Sequence, residues 1–365
     1  MSRWFFAAVL VSTFSLAHAQ SPNKPFGETA PLPADAEKAG TAATEAPQFQ
    51  RPKAPPVVVD GDLELLDPRT YRLRVGVKIE APDGAAKEVV AIFPVPIEWP
   101  EQRLRILSER ASSGMKVFET IHRGQCGMMK VQVPIIAKGG SATFERLYEI
   151  TRYRTEFKLP PESVLLAKQP PAELRELLTK PAPGIETENP KISELAHDIA
   201  HQHQPNDPSW DLVKRFWQWT RDNVKFQNGD FRGALFALEH KCGDCEEMSA
   251  LFIGMCRLNG AVARTVWVEG HNYPEFYMLD GKGHGHWIPA QVVGPPWFGE
   301  MTEYRPIFQK GDRFYDPFQK QYVRYAPQTV RADGGGSPPK LTVIHDIIAD
   351  SDINGPTYDN PMPRQ

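Results

Sequence analysis

Between Tyr71 and Ile79 the chain alternates. Tyr71, Leu73, Val75, Val77 and Ile79 are apolar, and Arg72, Arg74, Gly76 and Lys78 separate them. A period of two puts alternate side chains on opposite faces of a pleated strand, so this run predicts a half-buried β-strand. Met129, Val131, Val133 and Ile135 repeat the pattern, with the turn pair Gly139-Gly140 soon after, and residues 143–151 read as a further strand. Several such strands without a convincing helix predict an all-β sandwich domain over residues 57–160.

The period then changes. Residues 161–189 are broken by prolines and read as a connection with one short helix. Asn189-Pro190 is a helix start, with Asn as cap and Pro in the first turn, and Ile192, Leu195, Ala196 and Ile199 follow at helical spacing. Asp207-Pro208 reads as a second start, with Trp210, Val213, Trp217, Thr220 and Val224 as its buried stripe. A third helix starts near Asp244, which has capping-box spacing to Glu247, and stops at Asn259-Gly260. Strand-like runs follow at 262–268, 275–279 and 287–290. Residues 190–325 thus predict a second domain of helices followed by strands, and the chain as a whole an α+β arrangement. Residues 326–365 read as a Gly/Pro-rich tail in which only 341–348 could form structure.

The N-terminus changes the picture of where the protein works. One positive charge, a short apolar run from Trp4 to Leu16 and Ala17-His18-Ala19 have the pattern of a secretory signal peptide, residues 1–19. The run is shorter than the ~20 residues that span a bilayer. The expectation is export, to periplasm or extracellular space, and not an integral membrane protein. Residues 20–56 follow as a Pro-rich disordered linker, with eight prolines between Ser21 and Pro56. A net charge of −3 without blocks of like charge gives no case for nucleic acid as a partner.

Four cysteines in 365 residues are no disulfide scaffold, but Cys242, Cys245 and Cys256 fall within fifteen residues. Cys245 stands in the first turn of a mostly apolar helix, where the helix N-terminus favours a thiolate. Asp244, Glu246 and Glu247 oppose that, so the thiolate needs a positive partner, and a histidine could supply it. His271 opens a strand directly after the 262–268 strand, which could bring it to the helix start. His284 and His286 lie in a run of hairpin-loop composition and read as exposed loop histidines. Cys126 reads as a buried or free thiol, and Cys256, near the same helix face but three turns deeper, as a core thiol. Cys242-x-x-Cys245 is also a redox spacing, without the βαβ context such sites use. A metal site would need more well-spaced ligands than His284-x-His286 offers, and no metal or cofactor is expected.

These residues resemble the core of the transglutaminase-like superfamily. Gly243-Asp-Cys245 matches its Gly-x-Cys helix start. Arg257-Leu-Asn-Gly260-Ala-Val-Ala-Arg264-Thr-Val266 matches its Arg-x-x-Gly-x-x-x-Arg-x-Val segment. His271-Asn-Tyr273-Pro-Glu275 and Trp287-Ile-Pro-Ala-Gln291 stand for its His-x-Trp-x-Glu and Trp-x-x-x-Asp. The resemblance covers roughly 192–291 and implies a papain-like fold for the second domain. It also implies acyl chemistry on protein or peptide amides, with Cys245 as nucleophile and His271 as base. Two positions depart from the pattern. Tyr273 replaces a Trp, and Gln291 stands where an Asp would complete the triad. A glutamine carbonyl can accept the histidine's hydrogen bond but brings no charge. Two readings stay open: an exported thiol enzyme using Cys245, His271 and Gln291, or a catalytically decayed module with a binding or structural role in the cell envelope. Trp210 and Trp217 are candidates to assist an oxyanion.

Overall fold

The computed structural model describes residues 62–204 and 207–348. The expected signal peptide, the Pro-rich linker and residues 349–365 lie outside them. The described residues begin with six strands: β1 (Leu63–Glu80), β2 (Ala86–Val95), β3 (Gln102–Ala111), β4 (Lys116–His122), β5 (Cys126–Ile136) and β6 (Ser141–Phe157). A short β7 (Leu165–Leu166) and four helices follow: α1 (Ala172–Thr179), α2 (Pro190–His201), α3 (Ser209–Asn223) and α4 (Ala234–His240), with β8 (Lys225–Phe226) before α4. Then come β9 (Cys242–Gly243), α5 (Cys245–Leu258), β10 (Ala263–Val268), β11 (His271–Leu279) and β12 (Gly285–Pro289). The chain returns through β13 (Glu300–Met301), β14 (Ile307–Lys310), β15 (Phe314–Asp316), β16 (Gln321–Val323), β17 (Thr329–Ala332) and β18 (Lys340–Ile348).

The structure is α+β and rich in sheet. One sheet has the order β13-β6-β1-β18, with β3 also on β6; the other runs β12-β11-β10-β14-β5-β2-β17, with β4 on β5 and β7 on β11. Alternation works as the sequence indicates: Leu73, Val75, Val77 and Ile79 of β1 are fully buried and meet Val89, Phe93, Met129 and Val131 of the facing sheet in one apolar core. The β2 run is apolar at nearly every position because it is buried on both faces, so it shows no period of two. After Tyr325, where a tail with structure only at 341–348 was expected, β17 pairs with β2 and β18 pairs with β1 over nine residues, from Arg72↔Ile348 to Glu80↔Lys340. The last strands are thus part of the two sheets that open the chain.

The larger sheet connects that core to the helices. β14 pairs with β10 on one side and meets β5 through Gln309↔Cys126 on the other. Gln102 fixes β14 from the opposite sheet: its Nε2 donates to the carbonyls of Ile97 and Ile307, and Ile307 N donates to its Oε1. A buried amide with all three bonds made tolerates no slip. Behind β10 and β11 lies α5, whose residues from Glu247 to Arg257 are all buried. A helix apolar all round has to be central, and α2, α3 and α4 surround it.

The helix starts differ in their caps. Asn189 Oδ1 accepts from Lys191 N at α2, as its sequence indicates. At α3 the cap position is Pro208, with no side-chain bond; Asp207 instead accepts from Gln204 N. Helix α4 carries no sequence signature of its own. It starts at Gly233, where φ is +93°, and its seven residues hold their place by packing on α5.

Candidate functional site

Asp244 and Glu247 close a full capping box on α5. Asp244 Oδ1 accepts from Glu246 N at 2.7 Å and from Glu247 N at 3.4 Å, and Glu247 Oε2 accepts from Asp244 N at 2.9 Å. Glu247 Oε1 also accepts from Arg232 N, tying in the segment before α4. Gly243 is needed for this closure, because a Cβ there would stand 2.7 Å from Glu247 Cβ. The cap fixes Cys245 as the first helical residue, half-buried against the core.

The β10–β11 hairpin turns at Glu269-Gly270, with Val268 opposite His271 and Trp267 opposite Asn272. Asn272 Nδ2 donates to Cys245 Sγ at 3.6 Å, so the start of β11 lies against the start of α5. His271 is buried, and its Nε2 is 3.3 Å from Gln291 Oε1. Its Nδ1 is buried without a hydrogen-bond partner among the described residues. Gln291 follows β12 and is held by its main chain: Trp217 Nε1 and Arg221 both donate to its carbonyl, at 2.7 and 3.1 Å. Trp217 therefore positions the third residue, while Trp210 lies in an aromatic cluster with Phe157, Phe276 and Phe298.

A second wall of the site comes from residues 303–305, for which the sequence carries no motif. Arg152 of β6, buried, donates to the carbonyls of Arg305, Glu101 and Glu303 at 3.0, 3.0 and 2.8 Å. This seats the Glu303–Arg305 ion pair beside His271. Burial is the largest influence on both chemical groups. It pushes the Cys245 thiol up, with Asp244 and Glu246 adding to the rise and Asn272 and Arg305 opposing it. It pushes His271 down to about 4, with Arg305 in the same direction and Glu303 and Gln291 against it. The resting site thus favours neutral thiol and neutral imidazole, where the sequence alone suggested a thiolate held by a cation. Crowding raises the acids as well: Asp244 goes to about 8 through burial and Glu247, and Glu246 rises through burial although Arg324 pairs with it.

The remaining motif residues build the frame. Arg257 at the end of α5 donates to Ala263 O and forms a buried ion pair with Asp312. Arg264 pairs with Glu275 at 2.5 Å, and Lys310 joins Glu275 to Glu101. Tyr273, in the Trp position, is buried among Trp99, Val266 and Ile307. Cys126 and Cys256 are fully buried, and burial raises the Cys126 thiol to about 12. His284 is exposed, as its loop composition indicates, but His286 is not: it lies in β12, buried beneath Phe157. The loop reading fails there because the hairpin pairs one residue further than the glycines imply, through Leu279↔Gly285.

Residues 194–292 match the model of the transglutaminase-like superfamily. Among solved structures, one similar to this chain is a provisionally assigned cysteine protease from Cytophaga hutchinsonii. It is 13% identical, with 81% of this chain and 96% of that chain covered and a TM-score of 0.51. At that identity the likeness concerns the fold. A provisionally assigned protease from Parabacteroides distasonis is 11% identical, with 64% and 44% covered and a TM-score of 0.25. A TGase is also 11% identical, with 50% and 46% covered and a TM-score of 0.21. None of the curated proteins compared with the chain matches it.

Proposed function

With a transglutaminase-like segment at residues 194–292 as the premise, we propose that this chain is an exported thiol enzyme acting on protein or peptide amides through a thioester at Cys245. Its catalytic part is read as papain-like, preceded by a β-sandwich unit. The observation that carries the proposal is the state of His271: one ring nitrogen is engaged by Gln291, and the other is buried without a partner at the hairpin end that touches Cys245.

In this mechanism Sγ attacks the amide carbonyl while His271 Nδ1 takes the thiol proton. General-base transfer suits a pair that rests neutral, because charge separation then occurs only as the C–S bond forms. The proton passes to the departing amine, and water or a second amine resolves the thioester. Gln291 fixes the imidazole tautomer by accepting from Nε2–H. The side-chain amide of Asn272 donates to the sulfur, which suits it to an oxyanion formed there. Among the described residues no helix is long and apolar enough to cross a membrane.

A limiting alkylating agent, applied across pH with intact-mass readout, tests the pair. Cys245 should react ahead of Cys126 and Cys256, and His271→Ala should slow it at least tenfold at neutral pH. A peptide-amide hydrolysis or amine-incorporation assay should lose all activity in Cys245→Ala. Ordinary thiol kinetics unaffected by His271→Ala, with no turnover, would instead support the decayed, binding role.

A further inference from the structure

A second cluster of chemistry-bearing side chains lies away from the thiol, where the start of β1 meets the β11–β12 hairpin. We propose that Asp62, Asp280 and His286 form a binding site for a zinc-class divalent cation, joining the first strand of the chain to that hairpin.

The donor atoms carry the argument. His286 Nε2 lies 3.6 Å from Asp280 Oδ2 and 3.8 Å from Asp62 Oδ2, and all three donor atoms fall within 4.8 Å of one another. The two distances from His286 Nε2 are longer than hydrogen bonds. They approach the edge of a tetrahedron with bonds of about 2.0–2.1 Å, which is roughly 3.3–3.4 Å. One imidazole with two carboxylates suits zinc, cobalt or manganese, while calcium takes oxygen ligands.

The site is also built rather than incidental. His286 is 2% exposed and the Asp280 side chain 8%. Asp280 is held from behind: Oδ1 accepts from Lys282 N and His284 N, both at 2.8 Å, and His284 Nδ1 lies 3.1 Å from Oδ2. Such outer bonds orient a ligating carboxylate. Phe157 packs on the His286 ring at 5.4 Å between centroids, and Lys158 N donates to Asp62 O, so the end of β6 and the residue after it fix both ends. Asp62 and His286 face a cleft of ≈ 780 Å³ whose walls include Trp99, Tyr273 and Trp287. A cation on three protein ligands has a fourth position for water or a carboxylate or carbonyl oxygen of a bound molecule.

The test uses the purified chain stripped with chelator and then given zinc chloride. Metal analysis after gel filtration should find one zinc per chain, retained in Cys242→Ala/Cys245→Ala. Asp62→Asn and His286→Ala should each weaken binding by about tenfold or more. Asp62→Asn guards against misfolding as the explanation, because that residue is partly exposed and melting of the stripped variant can be compared with wild type. Cobalt should give a visible d–d spectrum without a thiolate charge-transfer band. Absence of retained zinc, zinc that survives Asp62→Asn/His286→Ala, or a thiolate band lost with the cysteines would overturn the site.

Discussion

Trp217 Nε1 donates to the main-chain oxygen of Gln291 at 2.7 Å, so a tryptophan on α3 sets where the partner of His271 stands. Trp217→Phe keeps the ring packing against Phe298 and removes this bond. Arg221 still reaches the same carbonyl, so the expected cost is about 1 kcal/mol. Cys245 alkylation should slow more than stability falls, because His271 loses its fixed orientation. Melting and alkylation rates on the same sample separate the two effects.

Gln291→Asp restores a charge beside His271. The imidazole, held near 4 mainly by burial, should gain basicity. The alkylation rate of Cys245 should then rise at pH 6 relative to pH 8. An unchanged pH profile would mean that residue 291 is not coupled to the histidine.

Asp244→Asn separates the cap from its charge. Asn caps a helix about as well as Asp, so melting should change little. Asp244 ranks directly after burial among the influences raising the thiol, so alkylation at pH 8 should rise several-fold. Asp244→Ala should give the same rise and lose about 1 kcal/mol of stability.

The depressed His271 also predicts a pH dependence. The unfolded histidine takes a proton near 6.5 and the folded one near 4. Between those values the unfolded state binds more protons, so this group removes stability as pH falls from 6.5 towards 4. Asp244 and Glu269, both raised to about 8, act oppositely: they favour the folded state at low pH and lose that contribution as pH rises towards 8. The difference in melting between wild type and His271→Gln isolates the histidine and should diminish below pH 6.5. A difference flat from pH 7 to 4.5 would contradict its burial as neutral imidazole.

Arg257 and Asp312 form an ion pair with both side chains 2% exposed. Asp312→Ala leaves the guanidinium buried with only the Ala263 carbonyl, at an expected cost of about 3–5 kcal/mol. Denaturant unfolding should show it as a lower midpoint with an unchanged slope. Replacing both residues by apolar ones should recover much of the loss.

What was legible in the sequence follows from local physics. Period two marked β1, β5 and β6, capping chemistry marked α2 and α5, and the Gly-x-Cys spacing placed Cys245 on the first turn of its helix. The hairpin from 263 to 279 was legible because its two strands are neighbours in sequence. These features depend on contacts within a few residues, so the chain states them directly.

The rest depends on partners far along the chain. Residues 341–348 could be read as structured, but that β18 covers the edge of β1, and that β17 joins β2, depends on strands more than 200 residues earlier. His286 looked exposed because it stands in a run of hairpin-loop composition, while its burial comes from Phe157 and Asp62, more than a hundred residues away. Glu303 and Arg305 carry no motif; Arg152, on β6 and more than 150 residues earlier in the chain, brings them to His271. The sequence by itself determined which residues could do thiol chemistry and the order in which they come. Tertiary structure alone decided their protonation, because desolvation and the charges of Glu303 and Arg305 exist only once distant strands close around the site.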